Sequence, residues 1–199
     1  MTTMREVIEV VDLATVGKQV VVATGVGTHQ SLVARHFTFD HPRRRFLTSA
    51  GHGTMGSGLP YLIGAALELP DHMPILFTGD GSFAIEVAGL ATALRLNLPL
   101  KVFVLDNKEF GIVHQFEMLQ GLRHVATPAA MMTDWLRVVD GFGFPAICLY
   151  EVNWHRQVER MLALPGPWVG VADVTDVGVW PILEGGHRQD GMTEGGDAR

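Results

Sequence analysis

One cysteine, Cys148, stands among the 199 residues. A lone thiol excludes an internal disulfide framework and a cysteine-ligated cluster, and its position in the apolar run 146–149 predicts an inert core thiol in a reducing compartment. Cations are scarce as well. Fifteen Lys and Arg against 21 Asp and Glu give a net charge of −6. A nucleic-acid surface needs clustered Lys and Arg to neutralise phosphates. Only Arg43, Arg44 and Arg45 form a basic run, which reads as solvated surface or a partner contact, so no nucleic-acid partner is expected. Long apolar stretches are also missing, since Gly, Pro and acids interrupt segments such as 59–69 well before the roughly 18–20 residues a membrane span requires. Residues 1–13 carry Arg5, Glu6, Glu9 and Asp12 where a signal peptide would need an apolar stretch. The expectation is a cytoplasmic protein with no membrane partner.

What is present is a 47% hydrophobic chain, enough for one substantial core. Apolar runs of strand length alternate with segments of helical period, which predicts an α/β fold: an open, mostly parallel sheet with helices on both faces. Strands are expected at 19–24, 45–48, 75–78, 101–105, 146–149 and 169–174. Helices are expected at 4–13, 29–36, 58–67, 84–96, 133–140 and 154–164. Prolines 70, 74, 99, 145 and 165 fall at the joints. Residues 1–184 read as one domain and the glycine-rich 185–199 as a loosely held tail.

Open sheets of this class bind ligands at the carboxyl ends of their strands. Gly-rich segments occupy those positions here: Val26-Gly27-Thr28-His29, Gly51 to Gly58, Gly79-Asp80-Gly81-Ser82, and the pair Asp106-Asn107. The second satisfies G-x-G-x-x-G, a weak dinucleotide signal that tight turn geometry alone also explains. A nicotinamide site would want an acid about 20 residues on, whereas Asp80 lies inside another Gly-rich turn. That turn is more informative. Glycines flanking a carboxylate admit a ligand close to the backbone while the acid points at a hard cation, although an Asp cap on the following helix fits the same residues. One helix and one strand separate Asp80 from Asn107, which predicts the two side by side on one sheet edge, as oxygen donors for Mg²⁺. Between Phe46 and Leu94 there is no Lys or Arg. A diphosphate bound by these turns would be neutralised by a cation and by helix N-terminal N–H groups.

The pair Gly79-Asp80-Gly81-Ser82 and Asp106-Asn107 resembles the thiamine-diphosphate signature. The wider likeness is to acetolactate synthase catalytic subunits, and more narrowly to their C-terminal, diphosphate-binding domain. It is carried by Thr24 to Gln30, Leu47 to Leu59, Gly79 to Phe83, Leu98 to Val102, Asn107 to Gln115, Pro165-Gly166-Pro167 and Trp180 to Gly186. The resemblance implies that Asp80 and Asn107 give side-chain oxygens, and Glu109 its backbone carbonyl, to Mg²⁺. It implies that Gly27, Thr28, His29, Gly79, Gly81 and Ser82 face the diphosphate, and that Gly53, Thr54 and Met55 surround the aminopyrimidine and thiazolium. Phe110, Gly111 and Ile112 complete the cofactor contacts, and Val113 and Phe116 face the substrate.

The implied chemistry is decarboxylation of a pyruvate-like 2-oxo acid, with the cofactor holding the charge left by CO₂. No catalytic residue is assigned to this chain, because the family's activating Glu belongs to a separate pyrimidine-binding domain, and no segment here resembles that domain or the middle domain that carries FAD. FAD is not expected. The expected partner is a subunit bearing the pyrimidine-binding domain, in a heterotetramer with two of each chain, docking on a face that exposes Met55, Leu59, Ile112 and Val113. Asp106 replaces the usual first Asn. Phe116 replaces a common Trp, a position that an aromatic anchor for a loop 115–124 also explains. Apolar Val113 stands where simple decarboxylases often carry a Glu, which favours carboligation. The alternatives are a two-subunit decarboxylase of the sulfopyruvate or phosphonopyruvate type, a ferredoxin oxidoreductase subunit that the single cysteine argues against, a nicotinamide-binding protein, and a non-catalytic regulatory paralogue.

Overall fold

The computed structural model describes residues 2–121, 123 and 133–175. Eight helices and six strands are found among them: α1 Met4–Ala14, β1 Val20–Thr24, α2 Thr28–His36, β2 Arg44–Leu47, α3 Gly58–Glu68, β3 Met73–Gly79, α4 Asp80–Glu86, α5 Gly89–Arg95, β4 Lys101–Asp106, α6 Gly111–Leu119, α7 Trp135–Gly141, β5 Ala146–Cys148, α8 Trp154–Ala163 and β6 Trp168–Asp173. The strands form one sheet in the order β2-β1-β3-β4-β6-β5, and every neighbouring pair is parallel. The expected open α/β sheet is therefore present.

Each strand feeds two cores, because successive side chains point to opposite faces. Val20, Val22, Phe77, Phe103 and Leu105 pack under α1, α2 and α8. Val21, Ala23, Leu76, Val102 and Val104 pack under α3, α4, α5 and α7. With both faces covered, β1 and β4 are buried along their whole length, which is why they read as continuous apolar runs. Helix α1 begins at a capping box, in which the Glu6 N–H donates to Thr3 Oγ1 at 3.1 Å and the Thr3 N–H donates to Glu6 Oε2 at 2.8 Å.

Four expectations change. The helix expected at 84–96 is two helices, and α4 starts at Asp80 directly from β3, so Gly79-Asp80-Gly81-Ser82 is a strand end joined to a first helical turn. The break between α4 and α5 lets Glu86 accept from the Leu59 N–H at 2.9 Å and the Thr78 hydroxyl at 2.7 Å. It also seats Gly89 against α3, where a Cβ would lie 2.9 Å from Leu59 Cδ2. Leu59 itself is fully buried in the second core, not exposed on an open face. Residues 115–119, expected in a loop, continue α6. Cys148 is half-buried because β5 is an edge strand.

The basic run also divides. Arg43 is exposed, Arg45 half-buried and Arg44 buried. The Arg44 guanidinium pairs with Asp12, donates to the Thr15 carbonyl at 2.7 Å and the Thr38 carbonyl at 2.7 Å, and lies 4.6 Å from the centre of the Phe37 ring. It fastens β2 to α1. The proposed tail 185–199 and the matched segment at 180–186 lie outside the described residues. No helix among the described residues is long and apolar enough to cross a membrane.

Candidate functional site

Because β2 lies on one side of β1 and β3 on the other, the strand order reverses between β1 and β3. Ligands of open sheets bind at that crevice. A cleft of about 130 Å³ opens there, and the first residues of three helices line it: Thr28 and His29 of α2, Asp80, Gly81 and Ser82 of α4, and Gly111, Ile112 and Val113 of α6. None of the three N-caps, Gly27, Gly79 and Phe110, makes a side-chain cap. No N-cap side chain competes for these helix starts, and the partial positive charge of the helix ends favours an anion.

The oxygen donors converge through strand register. Gly79 of β3 pairs with Leu105 of β4, which sets Asp80 level with Asp106 and brings Asn107 alongside. The Asn107 amide oxygen faces only acceptors, the Glu109 carbonyl and Asp80 Oδ1. Turned over, its nitrogen would donate to them at 3.0 and 3.2 Å. Without a cation the amide nitrogen makes those two hydrogen bonds, and with one the amide can turn its oxygen inward beside Asp80 and the Glu109 carbonyl. Asp, an amide oxygen and a backbone carbonyl are the hard oxygen donors that Mg²⁺ takes. Among the described residues no group of three or more His, Cys, Asp or Glu side chains is arranged for a metal. A cation here depends on the amide and carbonyl oxygens.

Electrostatics point the same way. Burial, and next the Asp106 carboxylate, push the Asp80 pKa up to about 7, and Asp80 Oδ2 has no hydrogen-bond partner. No Lys or Arg lines the cleft among the described residues. Lys108 turns away, donating to Asp173 Oδ1 at 2.8 Å and Asp106 Oδ2 at 3.4 Å. Thr28 Oγ1, His29 Nε2 and Glu109 Oε1 are likewise buried without partners. At a cleft, such atoms are the ones a polar ligand can reach and satisfy.

His29 sits in a glycine socket. A Cβ on Gly27 would lie 2.7 Å from its Cε1, and one on Gly79 would lie 3.1 Å from its Nδ1. Burial holds its pKa down at about 4, so the imidazole is neutral near pH 7. The Ser82 hydroxyl donates to the Val26 carbonyl at 2.9 Å and accepts from the Val26 N–H at 3.3 Å. It ties the loop after β1 to α4. Gly81 passes under Phe110, whose ring would lie 2.6 Å from an added Cβ.

Of the residues singled out in the sequence, Gly27, Thr28, His29, Met55, Gly79, Asp80, Gly81, Ser82, Asn107, Glu109, Phe110, Gly111, Ile112 and Val113 meet at this cleft. Gly53, Thr54 and Phe116 do not line it. Gly53 and Thr54 are exposed on the loop after β2, and Phe116 is exposed one turn farther along α6. Val26, the first residue of the Gly-rich segment after β1, lines the cleft too, and so does Met4, which the sequence did not point to because it lies far away in the chain and carries no motif. A larger hollow of about 760 Å³ lies between α7 and the ends of β4, β5 and β6. Asp106 is its one residue from the motif pair, so it is not the candidate site.

Comparisons with known proteins agree with this geometry. The sequence profile described as "Thiamine pyrophosphate enzyme, C-terminal TPP binding domain" matches residues 25–169. The chain is 34% identical over 202 residues to "Acetolactate synthase 2, chloroplastic" of Zea mays, covering 96% of this chain and 31% of that protein. It is 35% identical over 180 residues to "Acetolactate synthase isozyme 2 large subunit" of Escherichia coli strain K12, covering 87% of this chain and 32% of that protein. The crystal structure of benzoylformate decarboxylase from Polynucleobacter necessarius matches the fold with a TM-score of 0.75 at 23% identity, over 86% of this chain and 33% of that one. The chain thus spans about a third of the length of these proteins.

Proposed function

The chain belongs to the thiamine pyrophosphate enzymes, as their C-terminal TPP-binding domain, and from that premise we propose that it is the cofactor-holding part of an acetolactate-synthase-like enzyme. In this reading it binds thiamine diphosphate through Mg²⁺ and serves the decarboxylation of a pyruvate-like 2-oxo acid with transfer of the resulting two-carbon unit to a carbonyl acceptor. The observation that carries the reading is the cleft itself. The starts of three helices without side-chain caps meet the gathered Asp80, Asn107 and Glu109 groups, with no cationic side chain in the lining among the described residues.

Bound thiamine diphosphate supplies the carbon nucleophile and the electron sink for loss of CO₂. The chain's own residues do the holding. Asp80, Asn107 and the Glu109 carbonyl take the metal, and the first turns of α2, α4 and α6 take the diphosphate. His29 stays neutral, so it offers a hydrogen bond there and no charge. Met55 and Ile112 present apolar surface where the rings would lie. Val113, 48% exposed at the cleft, has no proton to give, which favours bond formation with a second carbonyl over release of aldehyde.

One side of such a pocket is missing from this domain. We assign it, with the activating Glu, to a pyrimidine-binding domain on a partner subunit, in a complex with two copies of each. Exposed Val113 and Phe116 on α6 and Ile85 on α4 support a covered face there. The test is turnover of labelled pyruvate by this chain with saturating cofactor and Mg²⁺, alone and with a pyrimidine-binding partner. Inactivity alone, and acyloin as the main product with the partner, are expected. Robust turnover by the isolated chain would refute the divided pocket, and acetaldehyde as the main product would refute the transfer step.

A further inference from the structure

We propose that Glu109 serves the site twice, through its carbonyl as a metal ligand and through its carboxylate, which together with His114 fixes where that carbonyl points. The proposal rests on the metal reading above and assigns Glu109 and His114 as positioning residues.

With Nδ1 protonated, the His114 ring donates to Glu109 Oε2 at 2.6 Å. The two side chains are 21% and 11% exposed, so the contact is largely shielded from water. His114 is in turn fixed on α6, its N–H donating to the Phe110 carbonyl at 2.9 Å. The bond therefore staples the strand-end turn to the first turn of the helix. The other half of the turn is held separately. Lys108 adopts a φ of 61°, a left-handed conformation that is costly for a residue with a side chain, and its N–H donates to Asp106 Oδ1 at 3.1 Å. Between these clamps lie the Asn107 amide and the Glu109 carbonyl, the two oxygens that must meet Asp80. Glu109 itself lines the cleft, so a shift of its side chain is felt where the metal would be held. Outer-shell groups of this kind change metal affinity by roughly 10–100-fold when removed. A side-chain substitution at 109 leaves the carbonyl ligand chemically intact, so any loss of affinity reports its placement.

The test uses the full 199-residue chain with saturating thiamine diphosphate and Mn²⁺ as an oxygen-seeking stand-in for Mg²⁺, with free Mn²⁺ counted by electron paramagnetic resonance. Glu109→Ala and His114→Ala are each expected to weaken Mn²⁺ binding about tenfold or more. The double variant should be no weaker than either single variant. Glu109→Gln keeps an oxygen acceptor for His114 Nδ1 and should recover most of the affinity. Thermal unfolding of the metal-free chain separates this role from a purely structural staple. Alanine variants that unfold earlier yet bind Mn²⁺ as tightly as wild type would overturn the proposal, as would additive losses in the double variant. A wild-type chain that takes up no Mn²⁺ with the cofactor present would overturn the metal reading itself, and this inference with it.

Discussion

The Arg44 cluster and the Asp80 cluster are both buried and charged, but only one is complete. Arg44 finds Asp12, two carbonyls and an aromatic face within the chain. Around Asp80, Thr28 Oγ1, Asp80 Oδ2 and Glu109 Oε1 are buried with no partner in the chain, at a cleft that a ligand can fill. The two clusters should therefore respond to mutation in opposite ways.

The largest effect is expected at the complete cluster. Arg44→Met strands the Asp12 carboxylate and two carbonyls, and removing one partner of a buried pair costs about 3–5 kcal/mol. Urea denaturation should show that loss, while the folded fraction still binds cofactor. At the incomplete cluster, Asp80→Ala and Asn107→Ala should each cost at least about 100-fold in Mg²⁺-dependent cofactor affinity, on the order of 3 kcal/mol. Asp80→Asn should in addition leave the metal-free chain no less stable than wild type, because it removes a buried carboxylate without breaking a pair. Destabilisation of the metal-free chain by Asp80→Asn would erase the contrast between the clusters.

A smaller effect depends on pH. The folded state holds the His29 pKa at about 4, below its usual 6.5, so between those values the unfolded chain binds the proton and the folded chain does not. By linkage, wild-type stability is lost as pH falls from 6.5 toward 4. His29→Gln should lack that component, so the difference in unfolding free energy between wild type and variant should change by about 2–3 kcal/mol across the window. A constant difference would mean that the imidazole is not sealed in its socket. Smallest of all, Ser82→Ala removes the tie to Val26 and should cost about 1 kcal/mol in thermal unfolding.

Much of the fold is legible in the sequence. The strands announce themselves because both of their faces are buried, and the meeting of Asp80 with Asn107 because each follows directly on one of two neighbouring parallel strands. Other parts are silent for physical reasons. Helix α6 starts at Gly111 behind an uncapped Phe110, so no capping residue marks it. The His29 socket draws its glycines from the ends of β1 and β3, which become neighbours only in the folded sheet. The Glu109–His114 contact spans a change from turn to helix, where neither helical nor strand spacing applies. Arg44 looks like its two neighbours in the sequence, and only the packing of α1 against the β2 side makes it an interior residue.

The most direct test of the central claim is calorimetric titration of thiamine diphosphate into this chain, with Mg²⁺ and again with a chelator. The account predicts binding at one site per chain with Mg²⁺, its loss on chelation, and its absence in Asp80→Ala under both conditions. Equal binding with and without the metal, or wild-type affinity in Asp80→Ala, would contradict the proposal that Asp80, Asn107 and the Glu109 carbonyl hold a cation beneath a diphosphate.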